Sequence, residues 1–310
     1  MVSIGIGILC FMRPKYLLQR VCEIQSYLPN SPITVLVDKY VGPSPEKLNL
    51  NNLVRIEATK LQLQGIISNV IFKDENIGVK RAFSELSFAV LSNKEFFLYI
   101  EDDLKLLSDP TDYLNQCVEK LKYDNSVAMA CLYDSTFHIF KPRRSEYSLR
   151  NSYFPKMWGV LLGRNLLQNP QEKSPEIKIA VQNVMSKFEF DNLKLANSLS
   201  TVWESKMNRA LKSNSAWDTE LQLRLWSRNA SCITPDRNFV RDLGTDETSV
   251  SKKRVVLPYP HFPSFQKNSG YLFCSRCESW GVTRYADRRD RLRLAASNFR
   301  RIAFQPKSQY

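Results

Sequence analysis

Three consecutive acids, Glu101-Asp102-Asp103, follow directly on the run Phe96-Phe97-Leu98-Tyr99-Ile100. An aromatic and β-branched stretch of that length reads as a buried strand, which delivers the acids together to its carboxyl end. Adjacent carboxylates repel one another unless something positive offsets them. A hard divalent cation does this, held by one or two carboxylates and completed by diphosphate oxygens and water. That coordination is expected of magnesium or manganese carrying a nucleotide. The competing reading is a strand end whose acids are solvated ahead of a turn. Asp38 ends a second apolar run, Ile33–Val37, where it can accept from a nucleobase imide or a ribose hydroxyl, or simply shape the turn before Lys39. Arg13 follows a third run, Ile4–Leu9, and can face a diphosphate or point into solvent at a helix start. Asp218 is a candidate general base. Ser215-x-x-Asp218 also has the spacing of a capping box, with the serine at N-cap and the acid at N3.

The elements that must position these residues begin as strand, helix, strand. Pro14 suits a first helical turn, and Leu17, Val21, Ile24 and Leu28 recur at three- and four-residue steps until Pro29-Asn30-Ser31-Pro32 stops the helix. Such a start implies a parallel sheet with ligands at the carboxyl ends of its strands. Gly42–Asn52 is expected to be loop, with short strands at Leu53–Ala58 and Val70–Phe72. Asn76-Ile77-Gly78 should open a helix with Val79, Phe83, Leu86 and Val90 on one face. A helix over 111–122, a strand at Val127–Leu132, and a loop leading into a buried strand within Phe154–Gly163 follow. Residues 166–215 read as polar and mostly helical without obvious active-site chemistry. A helix beginning at Ala216-Trp217-Asp218 carries Leu221 and Leu225, a short strand and turn lie at Cys232–Asp236, and Leu243–Ser249 reads as a polar loop.

Composition bounds the answer. The 310 residues are 43% hydrophobic and 11% aromatic with 10 glycines and 15 prolines, which excludes a disordered or fibrous chain. No stretch approaches eighteen uninterrupted apolar residues, and the first ten residues read as a strand rather than a signal peptide, so a soluble protein is expected. The seven cysteines are odd in number, and four lie in apolar runs, which suits reduced thiols in a cytoplasmic setting. Cys274-x-x-Cys277 is half of a zinc site, with only His138 and His261 to complete it. The formal charge is +13, concentrated in 276–301, where eight arginines face three acids. Leu292, Ala295, Ala296 and Phe299 suggest a helical face there. Such a segment fits peripheral contact with an anionic membrane, or a helix docked on its own domain with arginines in solvent. It lacks the interleaved aromatics of a nucleic-acid surface.

In order along the chain, seven segments together resemble one family. They are Cys10-Phe11-Met12-Arg13, Val37-Asp38, the helix start at Asn76–Phe83, Tyr99-Ile100-Glu101-Asp102-Asp103-Leu104, Phe154-Pro155-Lys156-Met157-Trp158-Gly159, Trp217-Asp218 and Pro235–Gly244. The family is that of the inverting N-acetylglucosaminyltransferase I and protein O-mannose N-acetylglucosaminyltransferase enzymes. The resemblance covers roughly residues 1–250. It implies the A-type glycosyltransferase fold, an α/β, Rossmann-like, mostly parallel sheet flanked by helices. It also implies Mn2+ (or Mg2+), a UDP-sugar donor and a carbohydrate or glycoconjugate acceptor. By position, Asp103 would ligate the metal. Glu101 and Asp102 would hold the ribose and the metal's waters, Asp38 the uracil, and Arg13 would sit against the nucleotide. Lys80 and Trp217 would contact substrate, and Asp218 would be the catalytic base. Attack of a deprotonated acceptor hydroxyl on the anomeric carbon, with the metal stabilising the diphosphate, inverts that carbon in one displacement.

The organisation expected on this reading is 1–105 for the nucleotide-sugar half, 106–250 for the acceptor and catalytic half, and 251–310 for a basic extension. Two departures stand out. Leu167–Ala216 is much longer than the family's connection there, and the family's arginine in Pro235–Gly244 falls opposite Phe239, with Arg237 and Arg241 nearby. The alternatives are a nucleotidyltransferase, disfavoured because Cys10–Arg13 is not a glycine-rich phosphate loop, and a non-catalytic nucleic-acid-binding protein using the basic tail.

Overall fold

The computed structural model describes residues 4–134, 149–167, 176–187, 189–190, 193–212, 216–235, 237–243 and 282–283. The Arg-rich segment (apart from 282–283), Cys274, Cys277, both histidines and the loop after Leu243 lie outside the described residues.

The chain opens as β1 (Ile4–Cys10), α1 (Pro14–Tyr27), β2 (Ile33–Val37), α2 (Pro45–Leu63), β3 (Asn69–Phe72), α3 (Gly78–Leu91) and β4 (Phe96–Glu101). It continues through β5 (Leu104–Leu106), α4 (Thr111–Tyr123), β6 (Val127–Cys131), β7 (Arg150–Ser152), β8 (Val160–Gly163) and α5 (Arg164–Leu167). Then come α6 (Ile177–Met185), β9 (Glu189–Phe190), α7 (Leu193–Leu211), α8 (Trp217–Ser227), β10 (Ser231–Thr234), β11 (Val240–Asp242) and β12 (Val282–Thr283). Eight strands form one sheet in the order β3-β2-β1-β4-β8-β6-β10-β7. The pairs β2/β3, β1/β2, β1/β4 and β6/β10 are parallel, whereas β8 runs antiparallel to both its neighbours and β7 is an antiparallel edge. The α/β class with a mostly parallel sheet flanked by helices is therefore as the sequence implied.

Side-chain alternation along the strands divides the core. Ile6, Ile8, Val35, Ile100 and Leu98 pack with α1, α2 and α4 on one face. Leu36, Phe97 and Tyr99 pack with α3, α6 and α8 on the other. The described parts of 166–215 are mostly helical as expected, but they are not merely polar: Ala180, Val181, Val184, Trp203 and Met207 are buried in the second cluster. Gly7 lets α3 approach the sheet, since a Cβ there would lie 2.5 Å from Phe97 and 2.9 Å from Leu86. No helix among the described residues is long and apolar enough to cross a membrane.

The structure corrects the reading of 42–58. In place of a loop and a short strand stands the 19-residue α2. Its start is Ser44-Pro45, with the Ser44 hydroxyl accepting from the Lys47 N–H and proline at the first helical turn. Only Asn51, Val54, Ala58 and Leu61 are buried, and a buried stripe containing an asparagine gives a weak apolar period.

Candidate functional site

The register of three neighbouring strands brings the sequence-distant candidates together. Cys10 pairs with Val37 and Leu9 with Glu101, so β1, β2 and β4 end level. The residues leaving those ends are Arg13, Asp38 and the acid triplet. Backbone bonds continue the ladder past the strands, from the Asp38 N–H to the Cys10 carbonyl at 3.1 Å and from the Asp102 N–H to the Leu9 carbonyl at 3.3 Å.

Arg13 precedes Pro14 at the N-cap of α1. Its Nη1 donates to Asp102 Oδ1 at 2.9 Å and to Asp103 Oδ2 at 2.8 Å, with all three side chains mostly shielded from solvent. One guanidinium thus bridges two neighbouring acids. It does not fully offset them. Burial pushes the Asp102 carboxyl up to about 6 against the pull of Arg13, and raises Asp103 as well. Burial and then the charges of Asp103 and Asp102 push Glu101 up to about 8, and the Tyr99 hydroxyl donates to Glu101 Oε1 at 3.3 Å. The site has more negative charge than its own cation can hold ionised at neutral pH.

The turn that carries the acids is clamped from beneath. Arg20, seven residues beyond Arg13 and so on the same face of α1, is 1% exposed and donates to the Leu104 carbonyl at 2.6 Å. It also forms an ion pair with Glu23, whose Oε2 accepts from the Leu106 N–H at 2.8 Å. Both ends of β5 are thereby tied to α1. β5 in turn pairs with β11, and the Leu243 N–H reaches the Asp103 carbonyl at 2.8 Å. This pairing introduces a fourth acid that sequence reasoning missed: the charge of Asp242 acts on both Glu101 and Asp103. No short-range motif marks Asp242, because it arrives by a long-range antiparallel pairing.

Asp38 is 6% exposed, and its carboxylate is engaged. Oδ1 accepts from the Lys39 and Ile77 N–H groups at 2.9 and 3.0 Å, and Oδ2 from the Gly78 N–H at 3.0 Å. An acid just beyond the end of β2 thus takes up donors at the amino terminus of α3. Asn51, also missed, is a buried strut from α2. Its Nδ2 donates to the Phe11 and Asp38 carbonyls at 2.6 and 2.8 Å, fixing the ends of β1 and β2.

Trp217 lies on the opposite face of the sheet from α1. It stacks on Phe83 with centroids 4.4 Å apart and meets Tyr99 edge-on at 4.9 Å, so one aromatic cluster runs from α8 through Tyr99 to Glu101. Lys80 pairs with Glu220 at 2.9 Å, joining the first turns of α3 and α8. Asp218 is exposed, and its Oδ1 accepts from the Thr219 N–H at 2.8 Å. The capping-box reading is corrected: the N-cap is Ala216, which puts Asp218 at N2 rather than N3, and Ser215 lies outside the described residues. Phe239, opposite the family's arginine, is core. It is 1% exposed and stacks on Tyr113 at 4.9 Å. The Phe154–Gly159 segment ends at a glycine with φ +72°, where a Cβ would meet Leu132 at 2.9 Å.

No family model matches the chain, and no curated protein does. Solved structures with a similar course of chain include S. aureus TarS, at 10% identity and a TM-score of 0.44 over 77% of this chain. The mannosyltransferase PcManGT from Pyrobaculum calidifontis, solved with GDP-Man and Mn2+, is 12% identical with a TM-score of 0.40 over 73%. The chain spans 36% of the TarS chain and 72% of the PcManGT chain. Identities this low, with TM-scores below 0.5, transfer no activity, substrate or residue role.

Proposed function

We propose that this chain is an inverting, metal-dependent glycosyltransferase of the A-type fold. It would move a sugar, N-acetylglucosamine being the one the resemblance implies, from a UDP-sugar to a hydroxyl of a glycan or other acceptor. The observation that carries the proposal is the meeting of Arg13, Asp38 and Glu101–Asp103 at the level carboxyl ends of three adjacent strands, with an excess of buried carboxylate that one guanidinium leaves unbalanced.

The donor set fits a hard cation. It consists of carboxylate oxygens, and among the described residues no three acidic, thiol or imidazole groups converge as a preformed cage. The reading is of an ion held by one or two carboxylates and completed by diphosphate oxygens. Asp103 would hold it, with Asp102 and Glu101 behind. A bound divalent cation supplies positive charge to the departing diphosphate. Arg13 would add a second positive charge at the same edge. Asp38, whose carboxylate also fixes the start of α3 beside the end of β2, would lie against the uracil. Asp218, exposed on the first turn of α8, would take the acceptor's proton, and inversion follows from a single in-line displacement. On this reading 1–105 hold the donor, 106–250 the acceptor, and 251–310 form a basic extension. The enzyme would act in the cytoplasm, with 276–301 available to an anionic membrane surface.

Asp103→Ala tests the proposal. Calorimetry with a UDP-sugar and Mn2+ should show tight, metal-dependent binding to the wild type and its loss in a variant of unchanged circular dichroism. Equal affinity in the two proteins would refute the metal assignment.

A further inference from the structure

The buried Asn51 side chain of α2 ties together the two turns that leave β1 and β2. Its Nδ2 donates to the Phe11 and Asp38 carbonyls at 2.6 and 2.8 Å, and its Oδ1 accepts from the Tyr40 N–H at 3.2 Å. One amide thereby fixes the two residues that bring aromatic rings to this edge. The Phe11 and Tyr40 ring centroids lie 6.2 Å apart with planes inclined at 54°, so the rings meet at an angle rather than face to face, and both are partly exposed. The following loop is fitted around Tyr40. Gly42 sits against the ring, where a Cβ would lie 2.6 Å from Cζ, and the Ser44 N–H donates to the Tyr40 hydroxyl at 3.4 Å. Apolar side chains scattered singly over a surface are ordinary. Two rings from different strand ends, both tied to one buried amide, form a built surface.

That surface adjoins the acids. The Phe11 N–H donates to the Asp102 carboxylate, and Arg13, two residues on, bridges Asp102 and Asp103. In the sheet β2 lies two strands from β4, about 10 Å at the usual strand spacing. An α-phosphate and a ribose span that distance, so a nucleotide whose diphosphate meets the acids brings its base to Phe11 and Tyr40. Asp38 by itself supplies little grip there. Three backbone N–H groups already engage its carboxylate, which has about four acceptor positions. What remains suffices for one imide N–H at the edge of the base and leaves its faces to the rings.

We propose that Phe11 and Tyr40 form the platform on which the nucleobase of the donor stacks. The proposal rests on the nucleotide-sugar reading of the acid site and adds to it the residues that hold the base.

The test is calorimetry on the full chain in Mn2+, with UDP and inorganic pyrophosphate as probes, on the wild type, Phe11→Ala, Tyr40→Ala and Tyr40→Phe. Loss of a base-stacking ring should weaken UDP about tenfold in each alanine variant and leave pyrophosphate affinity unchanged. Tyr40→Phe should bind UDP as the wild type does, because the ring face and not the hydroxyl holds the base. Unchanged UDP affinity in both alanine variants, or an equal loss for UDP and pyrophosphate, would overturn the platform while leaving the donor reading in place. A wild type that binds neither probe overturns the donor reading and the platform with it.

Discussion

Glu101→Gln should make the metal-free protein more stable, and only above the pH at which a free glutamate ionises. The folded protein holds the Glu101 carboxyl protonated up to about 8, against an ordinary value of 4.5, chiefly by burial and then by the charges of Asp103 and Asp102. With the folded value above the unfolded one, the native state binds the extra proton. Its contribution is therefore whole below pH 4.5 and is lost as pH rises toward 8. The loss runs at about 1.4 kcal/mol per pH unit, which by pH 7 amounts to on the order of 3 kcal/mol. A glutamine keeps a carbonyl to accept from the Tyr99 hydroxyl and has no proton to lose. Thermal unfolding of wild type and variant at a series of pH values should show coincident melting near pH 4.5 and a gap that widens with pH. At pH 7 the variant should melt roughly 6–12 °C higher, for a domain of this size. Mn2+ should narrow the gap by stabilising the ionised wild type. A variant no more stable than wild type at pH 7, or a difference that is the same at every pH, would refute the reasoning.

Three further outcomes are expected. Asp218→Asn should lower transfer about a hundred- to ten-thousand-fold while leaving donor affinity unchanged, because an amide cannot take the acceptor's proton; near-normal turnover in a steady-state assay would return Asp218 to its helix-end role. Glu23→Ala should cost about 3 kcal/mol in denaturant unfolding, because Arg20 stays buried without its carboxylate and the Leu106 N–H loses its acceptor. Gly7→Ala should cost about 1–3 kcal/mol, since the new methyl meets Phe97 at 2.5 Å; a melting temperature equal to wild type would contradict that packing.

Much of the carboxyl-edge site was legible in the chain because its parts are punctuated locally. An apolar strand that stops at an acid announces both the strand and the place of the acid, and this held for Asp38 and for Glu101–Asp103. Arg13 was legible because Pro14 marks the helix that begins after it. Asn51 was hidden by the misreading of α2 as loop and strand. Arg20 and Glu23 look like solvent residues on an amphipathic helix, since no periodicity distinguishes a buried arginine from an exposed one. Asp242 was hidden because its place depends on β5 pairing with a strand more than a hundred residues away.

By itself the sequence determined the strand–helix–strand start through Val37, the helix after Gly78 and the strand into Glu101, the carboxyl-end position of the acids and the aromatic approach to them. These follow from side-chain period and turn chemistry, which act over a few residues. Only the tertiary structure decided that Asp38 holds the start of α3, that Arg13 bridges two acids, and that β8 runs antiparallel between β4 and β6. Each of those depends on which distant surfaces meet and on how much water that meeting excludes. Burial at the meeting point turns three ordinary carboxyl groups into a coupled site with raised proton affinity.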